Sequence, residues 1–221
     1  MASRQGVPPA SHDVAVTPTI EVVLFDLGGV LIQLTGVAAM RELASLDSDD
    51  EVTRRWLTCE WVRRFERGRC SPEEFARGVV DDWQLDIEPA AFIELFREWP
   101  KDLFDGALEL VADVRRNYRV GAVSNTNAIH WPDHQTRLGL SSAFDIAFLS
   151  HELDLIKPDA AFFEHVLTAL DVAPSRVLFL DDSEPNVRGA AAIGMRTAHV
   201  RGVDEALAAL VAAGIVGSDA E

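Results

Sequence analysis

Cysteine is scarce: this chain of 221 residues has two, Cys59 and Cys70. Two cysteines are too few for a disulfide scaffold at this length, so a reducing cytoplasm is the expected compartment. Long apolar runs are missing as well. No stretch approaches the roughly 20 residues needed to cross a bilayer, and the N-terminus lacks the continuous apolar core of a secretory leader. Positive charge is short: 20 Lys and Arg stand against 36 Asp and Glu, a net charge of −16. Phosphate backbones and anionic membranes demand clustered Lys and Arg, so neither nucleic acid nor membrane is expected as a partner. An anionic small molecule must then be captured by local positive charge or by a metal. Composition leaves the oligomeric state unknown.

What is there fits an ordinary globular protein, with 48% hydrophobic and 25% charged residues. Aliphatic runs recur at Ile20 to Phe25, Arg119 to Val123, Ile146 to Leu149, Val177 to Leu180 and Arg196 to Val200. Helix-like segments flank each of them. Alternating strands and helices with nearly continuous apolar strands predict a parallel sheet covered on both faces. Between Leu34 and Pro100 the rhythm stops. Helical patterns follow one another there: Val37 to Leu46, Val52 to Phe65, Pro72 to Asp82 and Pro89 to Trp99. The expected organisation is a disordered tail over 1–18, an α/β core from 19–34 and 101–215, an inserted helical domain over 35–100, and a C-terminal tail over 216–221. Hinges are expected where the chain crosses, near Gln33 to Gly36 and Pro100 to Asp105.

Four short segments at strand ends carry candidate chemistry. Asp26 closes the first run, and Gly28-Gly29 allow a tight loop that brings backbone close to a ligand. Asp26 reads either as a nucleophile or as an acid in a turn. Ser124-Asn125-Thr126-Asn127 closes the second core run. It reads as an anion site at a helix start or as simple N-capping. Lys157-Pro158 reads as a phosphate-binding lysine or as a solvated loop. Asp181-Asp182 reads as a ligand pair for Mg²⁺, which takes hard oxygens, or as acids drawn to a helix N-terminus. The basic run Trp61 to Arg69, with Glu66 inside it, reads as a reader of the leaving group or as a solvated helix face. His130, just past the Ser124 loop, is a lesser candidate.

The joint order is more specific than any one segment. Asp26, then Ser124, then Lys157-Pro158, then Asp181-Asp182 follow successive strands, and in this the chain resembles the haloacid dehalogenase-like (HAD) hydrolase superfamily. The resemblance covers roughly residues 19–202. It implies a Rossmann-like parallel sheet with helices on both faces and an inserted all-helical cap. The chain looks most like the small-capped group that holds an α-D-glucose-1-phosphate phosphatase and the phosphatase domain of soluble epoxide hydrolase. By resemblance, Asp26 attacks phosphorus and becomes an aspartyl-phosphate, while Ser124 and Lys157 hold phosphoryl oxygens. Mg²⁺ is held by Asp26, the Gly28 carbonyl and Asp182, with Asp181 directly or through water. Asn125, Gly28, Gly29, Arg63 and Glu66 are the expected substrate contacts. The expected activity is Mg²⁺-dependent hydrolysis of a small phosphorylated metabolite, such as a sugar phosphate. Two alternatives stand beside it: a 2-haloacid dehalogenase, and a binding or regulatory protein with a residual site. One departure matters. The family places a second Asp two residues after the nucleophile as general acid/base, and here that position is Gly28.

Overall fold

The computed structural model describes residues 19–217. The expected tail over 1–18, and residues 218–221 of the expected C-terminal tail, lie outside the described residues. The strands are β1 (Val22–Phe25), β2 (Ile32–Leu34), β3 (Pro100–Leu103), β4 (Arg119–Ser124), β5 (Ile146–Leu149), β6 (Val177–Asp181) and β7 (Arg196–His199). The helices are α1 (Gly36–Leu43), α2 (Asp49–Thr58), α3 (Glu60–Glu66), α4 (Pro72–Trp83), α5 (Pro89–Arg97), α6 (Ala107–Arg115), α7 (Trp131–Thr136), α8 (Ser150–Leu153), α9 (Ala160–Leu170), α10 (Glu184–Ala192) and α11 (Gly202–Ala212).

Five strands form a parallel sheet in the order β5-β4-β1-β6-β7. Successive side chains of a strand point to opposite faces, and the cores divide accordingly. Val23, Phe25, Leu178 and Leu180 join α6 and α11 on one face. Val22, Leu24, Val177 and Phe179 join α9 and α10 on the other. Burial on both faces is why these strands read as continuous apolar runs rather than as alternation. Phe25 and Phe179 are fully buried, and truncating either to Ala should cost about 3–5 kcal/mol.

Helices α1 to α5 pack around a separate cluster containing Phe65, Phe75, Phe92, Phe96 and Trp99. Phe65 and Phe75 stack with centroids 4.3 Å apart. A capping box starts α4: Ser71 Oγ accepts from the Glu74 N–H, and the Glu74 carboxylate accepts from the Ser71 N–H. Gly78 costs helix propensity, but a Cβ there would collide with the Trp61 ring. The glycine is what lets α3 and α4 approach. The single helix expected over Val52 to Phe65 is in fact two, broken at Cys59 by extended backbone at φ −66°, ψ 121°. The apolar period continues across the break, so the sequence does not reveal it.

Strands β2 and β3 are a second difference. They stand at the two margins of the stretch read as strand-free and pair antiparallel, Ile32 opposite Leu103 and Leu34 opposite Pro100. Strands this short carry too little periodicity to be read. Both chain crossings between core and cap therefore run through one ribbon, at the positions expected as hinges. Further contacts tie the cap to the core. Arg63 Nη2 lies 3.0 Å from Asp159 Oδ2, and Arg67 reaches the same carboxylate. Arg69 Nη2 donates to Asp154 at 2.9 Å. His130 stacks on Phe96 with centroids 4.3 Å apart.

Candidate active site

The register of the sheet places the site. Phe25 pairs with Leu180 across β1 and β6, so the next residue of each strand run, Asp26 and Asp181, emerges side by side. Ser124 ends β4 on the other flank of β1. All three lie on the carboxyl rim, where open α/β sheets bind ligands. Asp26, Asp181 and Asp182 each offer an oxygen, and these oxygens lie within 4.8 Å of one another.

Lys157 enters this group from the loop before α9. The chain has only two lysines, and this one is fully buried. Its Nζ donates to Asp181 Oδ2 at 2.6 Å and to the Val123 carbonyl at 2.9 Å, and it pairs with Asp26 Oδ1 at 2.9 Å. Burial opposes its charge, but Asp181 and Asp26 outweigh burial and raise its pKa. The Asn125 side chain braces the loop: its Oδ1 accepts from the Lys157 N–H at 2.9 Å, and its Nδ2 donates to the Lys157 carbonyl at 3.0 Å. The carboxamide expected to touch substrate is thus engaged in positioning Lys157.

The two adjacent acids differ in environment. Asp181 is saturated. Its Oδ1 accepts from the Ser183 N–H at 2.8 Å and from Asn186 Nδ2 at 3.0 Å, and its Oδ2 accepts from Lys157 and, at 3.1 Å, from Asn186. No side-chain donor reaches the Asp182 carboxylate among the described residues. Burial, then the charge of Asp181, raises its pKa to about 6. Burial also pushes the Asp26 carboxyl well up, with Lys157 pulling the other way. Three carboxylates around one ammonium leave an excess of negative charge in a closed space. That is the electrostatic setting a divalent cation relieves, and the donors are the hard oxygens Mg²⁺ prefers. Gly29 makes the close approach possible. Its φ is +75°, and a Cβ on it would collide with the Asp182 carboxylate.

A cavity of about 210 Å³ opens between this rim and the cap. Gly28, Ser124, Asn125 and Glu66 line it. Burial raises the Glu66 carboxyl to a pKa of about 7, against the opposing pull of Lys157 and Arg63. Arg63 does not line the cavity. Its guanidinium is held by Asp159, so Arg63 is neither a free solvated group nor a wall of the cavity, while Arg69 at the end of the run is exposed. His130 lines it, but both ring nitrogens are engaged, Nε2 with the Phe96 carbonyl at 2.8 Å and Nδ1 with Asn127 Nδ2 at 3.2 Å.

A family model described as haloacid dehalogenase-like hydrolase matches residues 20–194. The chain belongs to the HAD-like hydrolase family. It is 26% identical over 190 residues to a D-ribitol-5-phosphate phosphatase of Bacteroides thetaiotaomicron, spanning 80% of this chain and 90% of that protein. It is 27% identical over 190 residues to a sesquiterpene phosphatase of Aspergillus oryzae, spanning 82% and 90%. The crystal structure of a HAD family enzyme from B. thetaiotaomicron, in complex with magnesium and inorganic phosphate, matches with a TM-score of 0.65 at 25% identity, covering 81% of this chain and 93% of that one. This HAD-like hydrolase therefore has phosphatases among its relatives.

Some residues of the HAD-like site escape a reading of the sequence. Asn186 donates to both Asp181 oxygens. The segment Asn186 to Ala190 shares in the resemblance to the small-capped phosphatases, but its sequence does not tell that Asn186 holds Asp181. Ser150 Oγ donates to the Thr126 carbonyl at 3.0 Å and accepts from the Thr126 N–H at 3.0 Å, locking the Ser124 loop. Nothing in the sequence around Ser150 marks it. Trp56 and Trp99 line the cavity, though their helices read simply as cap core.

Proposed function

We propose that this chain is a Mg²⁺-dependent phosphatase that hydrolyses a small phosphate monoester through an aspartyl-phosphate on Asp26. The observation that carries this reading is the convergence of Asp26, Asp181 and Asp182 around the single ammonium of Lys157. The phosphatase relatives and the magnesium and phosphate bound by the B. thetaiotaomicron enzyme support it.

Asp26 and Asp182, with the Gly28 carbonyl, would hold the ion. Asp181 would join through water, since its oxygens are already hydrogen-bonded. The bound ion supplies charge neutralisation between the nucleophile and the phosphate dianion. Everything else falls to the chain's own groups. Asp26 attacks phosphorus, and the ester oxygen leaves with the bonding electrons and takes a proton. Ser124 and Lys157 hold phosphoryl oxygens, which matters because phosphoryl transfer depends on positioning and charge more than on covalent assistance. Water then releases phosphate from Asp26. Glu66 is the titratable carboxyl nearest in role to the absent second Asp. The cap over 35–100 closes the cavity and excludes bulk water.

A dehalogenase would attack carbon and would have no use for Asp181 and Asp182 crowding Asp26. The deciding measurement is turnover of 4-nitrophenyl phosphate and of 2-chloropropionate, each with Mg²⁺ and with a chelator. The expected result is phosphatase activity that the chelator abolishes. Asp26→Asn should lower it by a factor on the order of 10³ or more with unchanged circular dichroism. Chelator-resistant release of chloride, with no phosphate released, would overturn the reading in favour of a dehalogenase.

A further inference from the structure

The cavity is chemically two-ended. Its rim end carries Ser124, Asn125 and Glu66. The rest of the wall is carbon: Val37, Val52, Trp56, Leu57, Phe96 and Trp99. The polar side chains placed among them, Thr53 excepted, are engaged or covered. Asn127 Oδ1 accepts from the Ile129 and His130 N–H groups, and its Nδ2 is paired with His130 Nδ1. Thr126 Oγ1, Trp99 Nε1 and both ring nitrogens of His134 are shielded from any solvent-sized group. Thr53 is the remaining polar side chain of the lining and is exposed. Of the three exposed large hydrophobics in the described residues, Leu34 and Val37 line this cavity.

A polyol seated here would find Thr53 as its one free side-chain partner on this wall, and each hydroxyl left unsatisfied is costly. An alkyl or ring system would instead exchange water for the tryptophan and aliphatic wall, which is favourable in proportion to its area. We propose that the substrate of this site is a phosphate monoester of an apolar alcohol, whose hydrocarbon body lies against Trp56, Leu57 and Val52, and that polyol phosphates are poor substrates. The proposal rests on the phosphatase reading above and narrows it to a substrate class.

The test is a homologous series of primary n-alkyl phosphates, ethyl to hexyl, alongside glycerol 3-phosphate and a pentitol 5-phosphate, all with Mg²⁺. The leaving groups of the series differ little in acidity, so differences report contacts rather than chemistry. The expected kcat/KM rises about fourfold per methylene, roughly 10²-fold across the series, until the cavity is filled. The polyol esters should fall at the bottom. Leu57→Asp should flatten the slope, and Leu57→Met should keep it. A flat alkyl series, or polyol esters that match hexyl phosphate, would overturn the apolar assignment and leave the phosphatase standing. Phosphate release from none of the esters or from 4-nitrophenyl phosphate would overturn the phosphatase reading, and this inference with it.

Discussion

Lys157 Nζ stands closer to Asp181, at 2.6 Å, than to Asp26, at 2.9 Å. The buried cation is therefore anchored by an acid that lies outside the proposed chemistry of attack. Asp181 is itself fixed by Ser183 and Asn186 at the start of α10. Asp26, the proposed nucleophile, is positioned through this chain of contacts. Removing a link should be felt as lost stability before it is felt as lost chemistry.

Asp181→Ala leaves a buried lysine with one carboxylate fewer, and breaking a buried pair by removing one partner costs about 3–5 kcal/mol. Asp182→Ala removes a carboxyl that burial and Asp181 already hold at a pKa of about 6. Metal-free, that variant should be as stable as the parent or more so. Urea midpoints in the presence of a chelator check both. Equal losses in the two variants would contradict the division of roles between the adjacent acids.

Gly28 offers no proton to the leaving alcohol, and Glu66 stands in the same cavity with a carboxyl held near pKa 7 by burial. A general acid works while protonated, so kcat on an alkyl phosphate should fall as pH rises through about 7. Glu66→Gln should remove that descent and lower kcat on alkyl esters roughly 10²-fold, with far less effect on aryl esters. Gly28→Asp in that background should restore part of the loss. The new Cβ would lie 2.8 Å from Leu34 Cδ1, the tip of an exposed side chain free to swing aside. A pH profile that Glu66→Gln leaves untouched would assign the proton to another group.

His134 is 5% exposed, and neither ring nitrogen has a partner among the described residues. Burial lowers its pKa from 6.5 to about 4. The unfolded chain then takes up a proton that the folded chain refuses. Stability contributed by the neutral ring is present above 6.5 and is lost as pH falls towards 4. The loss is on the order of 3 kcal/mol over that window. Glu66 has the opposite sign: its folded pKa is raised from 4.5 to about 7, so its contribution is lost as pH rises across that interval. Urea midpoints of the parent and His134→Gln, compared from pH 7 to pH 4, isolate the histidine. Parallel curves would show that His134 titrates in the fold as it does in the unfolded chain.

Asp159 collects Arg63 and Arg67 from the cap. These pairs are partly exposed, so Asp159→Asn should change global stability by less than about 1 kcal/mol. Its effect should appear in cap position instead. Scattering should report a larger radius of gyration in the absence of ligand, and KM should rise more than kcat falls. An unchanged scattering profile with unchanged KM would mean that the β2–β3 ribbon and the His130–Phe96 stack hold the cap without help.

The sequence by itself determined the sheet and the chain order of the candidate groups. Continuous apolar runs can be satisfied only by burial on both faces, and a residue that closes such a run must emerge at a strand end. Asp26, Ser124 and Asp181 were legible for that reason, since backbone periodicity and hydrophobic burial are local properties. Tertiary structure alone decided the rest. The resemblance already set Lys157 beside Asp26; that Asp181, 24 positions further along the chain, anchors it more closely was decided by packing. Arg63 turned to Asp159 instead of the cavity because a core carboxylate stood within reach of its charge. Trp56 and Leu57 line the cavity from the last turn of α2, just before the extended backbone at Cys59 breaks the helix. Which face of a cap helix meets the core, and hence what the site excludes, depends on packing between segments distant in sequence.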